Sequence, residues 1–154
     1  MRVHIISLFF IFSLNFSCSS AKIKASNPPP NFILILSDDQ GWNGTSVQMM
    51  DDLPQSKSDY HETPNLEKLA NRGMRFSSAY ASAPVCSPSR YSIQFGQTPA
   101  RLRMIRVGMN TKHINHQTPY TIPKQLKKIN SNYTTAHFGK WGIGVDPSEL
   151  GYDQ

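Results

Sequence analysis

Cysteine and long apolar runs are both scarce in this chain of 154 residues. Its two cysteines are Cys18 and Cys86, and no disulfide framework can form if Cys18 is removed or acylated. The longest apolar stretch runs from Ile5 to Phe16. A membrane-spanning helix needs about 20 apolar residues, so this stretch is too short to cross a bilayer. No internal repeat is present.

Acidic residues are also few, with 10 Asp and Glu against 16 Lys and Arg, which gives a formal charge of +6. This charge favours an anionic partner. Nucleic acid is disfavoured because the basic residues are scattered, no aromatics interleave with them and no nucleic-acid motif occurs. The alternative interpretation of the charge is a solvated, slightly basic surface.

Residues 1–18 have the pattern of a secretory signal, with Arg2 near the start, an apolar stretch and small residues around Cys18. The sequence Ser17 to Ser20 also permits lipoprotein processing, in which a lipid on Cys18 attaches the protein to a membrane. Asn15 and Phe16 depart from the usual lipoprotein pattern. We therefore expect an exported protein, which in a bacterium is periplasmic or an outer-membrane lipoprotein.

Residues 19–30 end in three prolines and predict an extended linker before a domain at residues 31–154. In that domain, strand patterns alternate with helix patterns, which predicts an α/β fold with a mostly parallel sheet. Thr63, as a cap, and Pro64 predict a helix start. The predicted strands are Phe32–Leu36, Met74–Tyr80 and Tyr133–Phe138, and the predicted helices begin near Thr63, Pro88 and Thr121.

Candidate functional residues follow these elements. Asp38, Asp39 and Lys140 each come after a predicted strand, where ligand sites of open sheets lie. Paired carboxylates suit calcium or magnesium, although an isolated Asp-Asp pair is also common in solvated turns. Cys86 precedes Pro88 and should lie at a helix amino terminus, where the dipole favours negative charge. A small buried cysteine is the alternative.

The segment Cys86-x-Pro88-x-Arg90 resembles the signature of type I sulfatases, whose cysteine is oxidised to formylglycine. Three further segments resemble the same family in the same order. These are Asn31–Gly41 with its terminal aspartates, Thr63–Ala70 followed by Arg72–Phe76, and Tyr133–Ala136 with Phe138–Trp141. The resemblance implies an alkaline-phosphatase-like sheet flanked by helices. Complete sulfatases are several times longer, so we expect only the amino-terminal part of that fold.

The resemblance also implies roles for the candidate residues. Asp38, Asp39 and the modified Cys86 would bind Ca²⁺, with Mg²⁺ as an alternative, and a formylglycine-generating enzyme would act on Cys86. A hydrated aldehyde would attack the sulfur of a sulfate ester, either of a sulfated carbohydrate or of an aryl alcohol. Its second hydroxyl would then release sulfate. Arg90 would stabilise the diol, and Lys140 would bind sulfate oxygens. The alternative for Arg90 is an ordinary ion-pair partner, and the alternative for Lys140 is a surface charge.

One position departs from the family pattern. The family commonly has histidine after Gly-Lys-Trp, whereas this chain has Gly142, and His137 is a speculative substitute. His113 and His116 could form a metal pair but fit a solvated loop better. We expect little activity from this chain alone. The alternative functions are an alkaline-phosphatase-like phosphatase or phosphodiesterase, and a non-catalytic, degenerate glycan-binding product.

Overall fold

A computed structural model describes residues 28–154 of the chain. The predicted signal at residues 1–18, the lipid site Cys18 and most of the linker at residues 19–30 lie outside the described residues. The chain divides into two units, residues 1–36 and residues 37–154. In the first unit, residues 28–36 have no regular secondary structure, and their side chains are exposed. No helix within residues 28–154 is long and apolar enough to cross a membrane.

Residues 28–154 contain three α-helices and two short 3₁₀ helices, and no β-strand. The helices are α1 (Pro64–Arg72), α2 (Cys86–Phe95) and α3 (Ile122–Ile129), and the 3₁₀ helices are Pro54–Ser56 and Pro147–Leu150. The three helices predicted from the sequence are therefore confirmed. All three segments predicted as strands lack regular structure. A strand pairs its backbone groups with a neighbouring strand, and the described residues offer these segments no such ladder.

Helix α1 begins at Pro64, whose fixed φ and missing N–H suit a first helical turn. Thr63 does not cap it through its side chain, contrary to the sequence prediction. Its hydroxyl instead accepts a hydrogen bond from the backbone N–H of Ser46 at 2.9 Å, and its own N–H donates to the Ser46 hydroxyl at 2.9 Å. These reciprocal bonds tie the start of α1 to the preceding loop.

Helix α2 supplies the centre of the hydrophobic core. Tyr91 and Phe95 lie one turn apart on its buried face, with ring centroids 5.6 Å apart. The helix ends at Phe95, and the next residue, Gly96, has a positive φ of 60°, the left-handed conformation that commonly terminates helices. The other buried members of this core come from the segments that follow: Leu102, Met104, Ile114, Ile143 and Leu150.

Helix α3 is joined to the end of the chain by polar contacts. The Thr121 hydroxyl, fully buried, donates to the carbonyl of Leu150 at 2.6 Å. Lys127 on α3 forms an ion pair with Asp153 at 2.6 Å. The other carboxylate oxygen of Asp153 accepts hydrogen bonds from the N–H and hydroxyl of Thr135 at 2.8 and 3.0 Å. Asp153 therefore connects α3 with the segment that leads to Lys140.

We expect stability to fall in acid through Asp153. The hydrogen bond from Lys127, then that from the Thr135 backbone, lowers the pKa of this carboxyl from 3.8 to about 2. Because the folded-state pKa is the lower one, the stabilisation is present above pH 3.8 and is lost as the pH falls towards about 2. Urea unfolding across this range should show a smaller acid loss for Asp153→Asn. Asp52→Asn, at an exposed aspartate, serves as control; an equal effect of both substitutions would contradict the assignment.

Candidate active site

The first turn of α2 presents Cys86 at a fixed place. Cys86 is the first residue of the helix, as the sequence predicted, and its free thiol is partly exposed. Pro88 is fully buried beneath the turn. Ser89 donates from its hydroxyl to the carbonyl of Ala83 at 2.7 Å, which anchors the chain just before the helix. The thiol is therefore accessible, and the backbone that carries it is fixed by the burial of Pro88 and by the hydrogen bond from Ser89.

Arg90 lies one turn after Cys86 and is largely buried, with 9% of its side chain exposed. One terminal nitrogen donates a hydrogen bond to the backbone carbonyl of Lys140. The other lies 3.3 Å from a carboxylate oxygen of Asp38. The rigid guanidinium fork thus connects α2 to two segments that are distant in sequence.

Asp38 is shared by two cations. Its second carboxylate oxygen accepts a hydrogen bond from the Lys140 ammonium at 2.9 Å. This bond is the main cause that lowers the pKa of Asp38 and that raises the pKa of Lys140. The charge of Arg90 lowers the pKa of Asp38 further. At neutral pH the site therefore holds an ionised carboxylate between a guanidinium and an ammonium.

The structure thus brings together three of the predicted site residues: Asp38, Arg90 and Lys140. Cys86 also belongs to this neighbourhood, because it lies one helical turn before Arg90 on α2. Asp39 is exposed, and its positive φ of 57° turns the chain sharply after Asp38. Within residues 28–154, no group of three or more His, Cys, Asp or Glu side chains lies together as a metal site.

Gly142 borders the buried part of Arg90. Its φ is +68°, and a β-carbon at this position would lie 2.8 Å from Cδ of Arg90. Any side chain at this position, the histidine of the family pattern included, would therefore force Arg90 to shift. On the same side, the buried Nε of Arg90 has no hydrogen-bond partner among the described residues. The packing of Arg90 in this structure therefore depends on the glycine.

The histidines named in the sequence analysis contact different partners. Nε2 of His113 lies 2.9 Å from the carbonyl of Leu102, whereas Nε2 of His116 lies 3.2 Å from the hydroxyl of Tyr91. The expectation of a solvated segment is wrong for His116, which is partly buried; burial lowers its pKa. His137 packs its ring against those of Trp141 and Tyr152, with centroids 4.7 and 5.9 Å away.

Sequence reasoning missed Tyr91. Its hydroxyl accepts a hydrogen bond from the backbone N–H of Gly144 at 2.9 Å, so it connects α2 to the loop that follows Lys140. A β-carbon on Gly144 would come within 3.1 Å of this hydroxyl. The available signal was the Tyr91 and Phe95 pair at one-turn spacing, which indicates a buried helix face but not the polar contact of its hydroxyl.

Comparison with known proteins identifies the class of this protein. The family model described as Sulfatase matches residues 30–154, which is most of the chain. The chain belongs to the sulfatase family, a class of sulfuric ester hydrolases. This membership implies an α/β fold for the family's domain, whose sheet is neither seen nor excluded by the described residues. No solved structure was found to match.

Individual relatives agree with this assignment. The chain is 34% identical to N-acetylgalactosamine-6-sulfatase of Mus musculus over 144 residues, which cover 82% of the chain and 25% of the mouse protein. It is 32% identical to arylsulfatase G of Homo sapiens over 152 residues, which cover 94% of the chain and 26% of the human protein. The chain thus spans about a quarter of the length of these relatives.

The first prediction for the site concerns charge coupling. Replacing Lys140 by Met should raise the pKa of the Asp38 carboxyl towards its ordinary value of 3.8, because the main cause of the lowering is lost. Carbon-13 NMR of the side-chain carboxyl across a pH titration measures this change. Lys128→Met, at an exposed lysine on α3, should leave Asp38 unchanged. An Asp38 titration that is identical in the Lys140 variant and the parent would refute the pairing.

The second prediction concerns Gly142. Replacement by Ala should destabilise the fold, since a left-handed non-glycine residue costs about 1–2 kcal/mol and the β-carbon also meets Arg90. Gly108→Ala is the matched control, because Gly108 has a φ of +71° and nothing within 4 Å of its β-position. Denaturant unfolding should show a larger loss at position 142. Equal losses would mean that the contact with Arg90 contributes nothing.

Proposed function

We propose that this chain carries the nucleophile and part of the sulfate-binding site of a sulfatase that acts on sulfated carbohydrate. The observation that carries the proposal is the meeting of Arg90 and Lys140 on Asp38, beside the first residue of α2. Family membership supports the reaction class, and the name N-acetylgalactosamine-6-sulfatase of one relative supports a sulfated sugar as substrate.

The proposed reaction takes place at position 86, after Cys86 has been converted to formylglycine. A hydrated aldehyde at position 86 has two hydroxyls. One hydroxyl would lose its proton and its oxygen would form a bond to sulfur, while the bond from sulfur to the alcohol oxygen would break and the alcohol would leave with that proton. The second hydroxyl would then lose its proton and form the carbonyl, and the bond between carbon and the sulfate oxygen would break to release sulfate. An unmodified thiol or hydroxyl lacks the second hydroxyl that this release step needs.

Lys140 is the candidate ligand for the transferred sulfate. Its raised pKa keeps the ammonium charged at neutral pH. One of its three N–H groups is used by Asp38, which leaves donors for sulfate oxygens. Arg90 is buried, and it contacts the Asp38 carboxylate and the Lys140 carbonyl, so it positions both residues. It also places a fixed positive charge near the nucleophile.

A divalent cation fits the donor chemistry of Asp38 and Asp39. Adjacent carboxylates are hard oxygen ligands, and Ca²⁺ takes about six to eight oxygens, so these two residues would hold part of the shell. When bound, the ion would supply positive charge that favours ionisation of a neighbouring hydroxyl. The two cations that now share Asp38 would compete with the ion for its oxygens.

Two further features belong to the proposal. We infer that the family's mostly parallel, alkaline-phosphatase-like sheet forms around this site in a full-length sulfatase domain, with Asp38 and Lys140 at one edge. Export through residues 1–18, and attachment through a lipid on Cys18, remain predictions from the sequence. A phosphatase or phosphodiesterase is the less favoured function, because those relatives of the fold use an unmodified hydroxyl rather than a cysteine in this motif.

The modification of Cys86 is directly testable. After co-expression with a formylglycine-generating enzyme, trypsin should release residues 76–90 as one peptide that contains Cys86 and no other cysteine. Mass spectrometry should find an aldehyde in place of the thiol, and the aldehyde should react with a hydrazide probe. Cys86→Ala provides the blank, and Arg90→Ala should reduce conversion because it alters the recognised sequence. If the Cys86 thiol remains fully alkylatable after co-expression, formylglycine is not the nucleophile and the proposal is wrong.

Activity of the chain by itself gives a second test. We expect little or no hydrolysis of a chromogenic aryl sulfate by the purified, converted chain, because Asp38, Asp39, Arg90 and Lys140 make up only part of a sulfate and metal site. Turnover well above that of Cys86→Ala would contradict this expectation while supporting the reaction class. Preferential hydrolysis of the matching aryl phosphate would instead favour the phosphatase function.

A further inference from the structure

A cavity lies at the opposite end of α2 from Cys86. It has a volume of about 530 Å³ and is bordered by the end of the helix at Phe95, by the turn at residues 101–103 and by the segment at residues 113–120. That volume is within the range of small-molecule sites, about 300–1,000 Å³. At about 1.5 Å of rise per residue, the nine steps from Cys86 to Phe95 put roughly 13 Å of helix between the two sites.

The cavity is cationic. Arg101, Arg103 and His113 line it, and no aspartate or glutamate is among its lining residues. Both arginines are exposed, whereas the neighbouring Leu102 and Met104 are buried in the core. This alternation anchors the turn and leaves the two guanidinium groups at the cavity. Arginine forks bind planar carboxylates and sulfate-like oxyanions with paired hydrogen bonds.

The turn that carries these arginines is held firmly. The N–H of Leu102 donates to the carbonyl of Thr98 at 3.0 Å, and the N–H of Arg103 donates to that of Ala100 at 3.1 Å. His113 joins the turn to the facing wall through its 2.9 Å hydrogen bond with the carbonyl of Leu102. The cavity is therefore bounded by fixed backbone on two sides.

Arg103 also has a backbone that arginine rarely adopts. Its φ is +50°, one of two positive values among non-glycine residues in the described part of the chain. The other is at Asp39, within the candidate active site. Glycine would take this conformation without strain, so the backbone of Arg103 carries a local strain that glycine would not. Such strain is concentrated at functional positions.

The remaining lining suits a sugar ring. Tyr120 is 64% exposed at the rim, and Phe95, Leu102 and Ile114 form an apolar floor. An aromatic ring of this kind packs against the C–H face of a pyranose. The side-chain amides of Gln97 and Asn115 offer both donors and acceptors to sugar hydroxyls. The lining thus combines an oxyanion site with an aromatic rim and polar amides.

We propose that this cavity binds an acidic saccharide unit through its sulfate or carboxylate group. The binding itself does not depend on the hydrolytic function. Its use as a second contact for an oligomeric substrate, away from the ester that is cleaved, rests on the function proposed above. A chain with two separate contacts for one sulfated oligosaccharide would hold that oligosaccharide more tightly than either contact alone.

The test measures binding of a chondroitin 6-sulfate hexasaccharide to the chain by titration calorimetry and by nitrogen-15 NMR. We expect shifts at residues 101–103 and 113–120. Arg101→Ser combined with Arg103→Ser should weaken binding by at least about tenfold, since charge-assisted hydrogen bonds are lost. Tyr120→Ala should weaken it several-fold. Arg106→Ser is the matched control, because Arg106 is an exposed arginine of the same segment that does not line the cavity.

Three probes identify the ligand chemistry. Unsulfated chondroitin hexasaccharide tests whether carboxylates suffice, and inorganic sulfate tests whether the oxyanion alone binds. A single-stranded oligonucleotide of matched charge tests general attraction to polyanions. Binding of either hexasaccharide that exceeds binding of the oligonucleotide and depends on Arg101 and Arg103 supports the proposal. Equal binding of the oligonucleotide, binding of inorganic sulfate as tight as that of the saccharides, or equal losses in the Arg106 control would overturn it.

Two variants distinguish saccharide binding at the cavity from a structural role of Arg103 and from the chemistry at Cys86. Arg103→Gly should raise the free energy of unfolding, because glycine adopts a left-handed backbone without strain, and it should weaken saccharide binding. If this variant instead lowers the free energy of unfolding and leaves saccharide binding unchanged, Arg103 has a structural role and does not bind the saccharide. Cys86→Ala should abolish aldehyde formation and leave binding at the cavity unchanged. A result that disproves the proposed nucleophile is therefore distinguishable from a result that disproves saccharide binding at the cavity.

Discussion

The candidate site depends on one carboxylate that two cations share. Asp38 neutralises part of the charge of Arg90 and Lys140, which would otherwise repel each other near the start of α2. The hydrogen bond from Arg90 to the Lys140 carbonyl then fixes the backbone of the segment that carries Lys140. Removing the carboxylate would leave a largely buried guanidinium without its counter-charge, so the site forms as a unit.

Helix α2 is the element that makes this arrangement possible. It carries Cys86 at its first residue and Arg90 one turn later, its buried face provides the aromatic core, and its last turn borders the cationic cavity. Tyr91 adds a polar contact with Gly144, so the loop after Lys140 is held by the same helix. Chemistry at one end and saccharide binding at the other would therefore be kept in register by a single rigid element.

Local structure was predictable wherever its causes are local. Proline at a first turn acts over a few residues, and it placed the starts of α1 and α2 correctly. The strands were not predictable in the same way. An apolar run such as Phe32–Leu36 indicates what a sheet would bury, but pairing requires neighbouring strands, which residues 28–154 do not form. Thr63 failed as a cap because Ser46 competed for its hydroxyl.

The sequence by itself determined the chemical types at the site: a thiol at a helix start, two carboxylates after an apolar run, and the arginine and lysine of two family motifs. Only the tertiary structure decided that Lys140 reaches a carboxylate 102 positions away and that Gly142 makes room for Arg90. It alone revealed the cavity beyond α2. The physical reason is range, because dihedral preferences act between neighbours, whereas ion pairs and close packing depend on which distant segments the fold brings within a few ångströms.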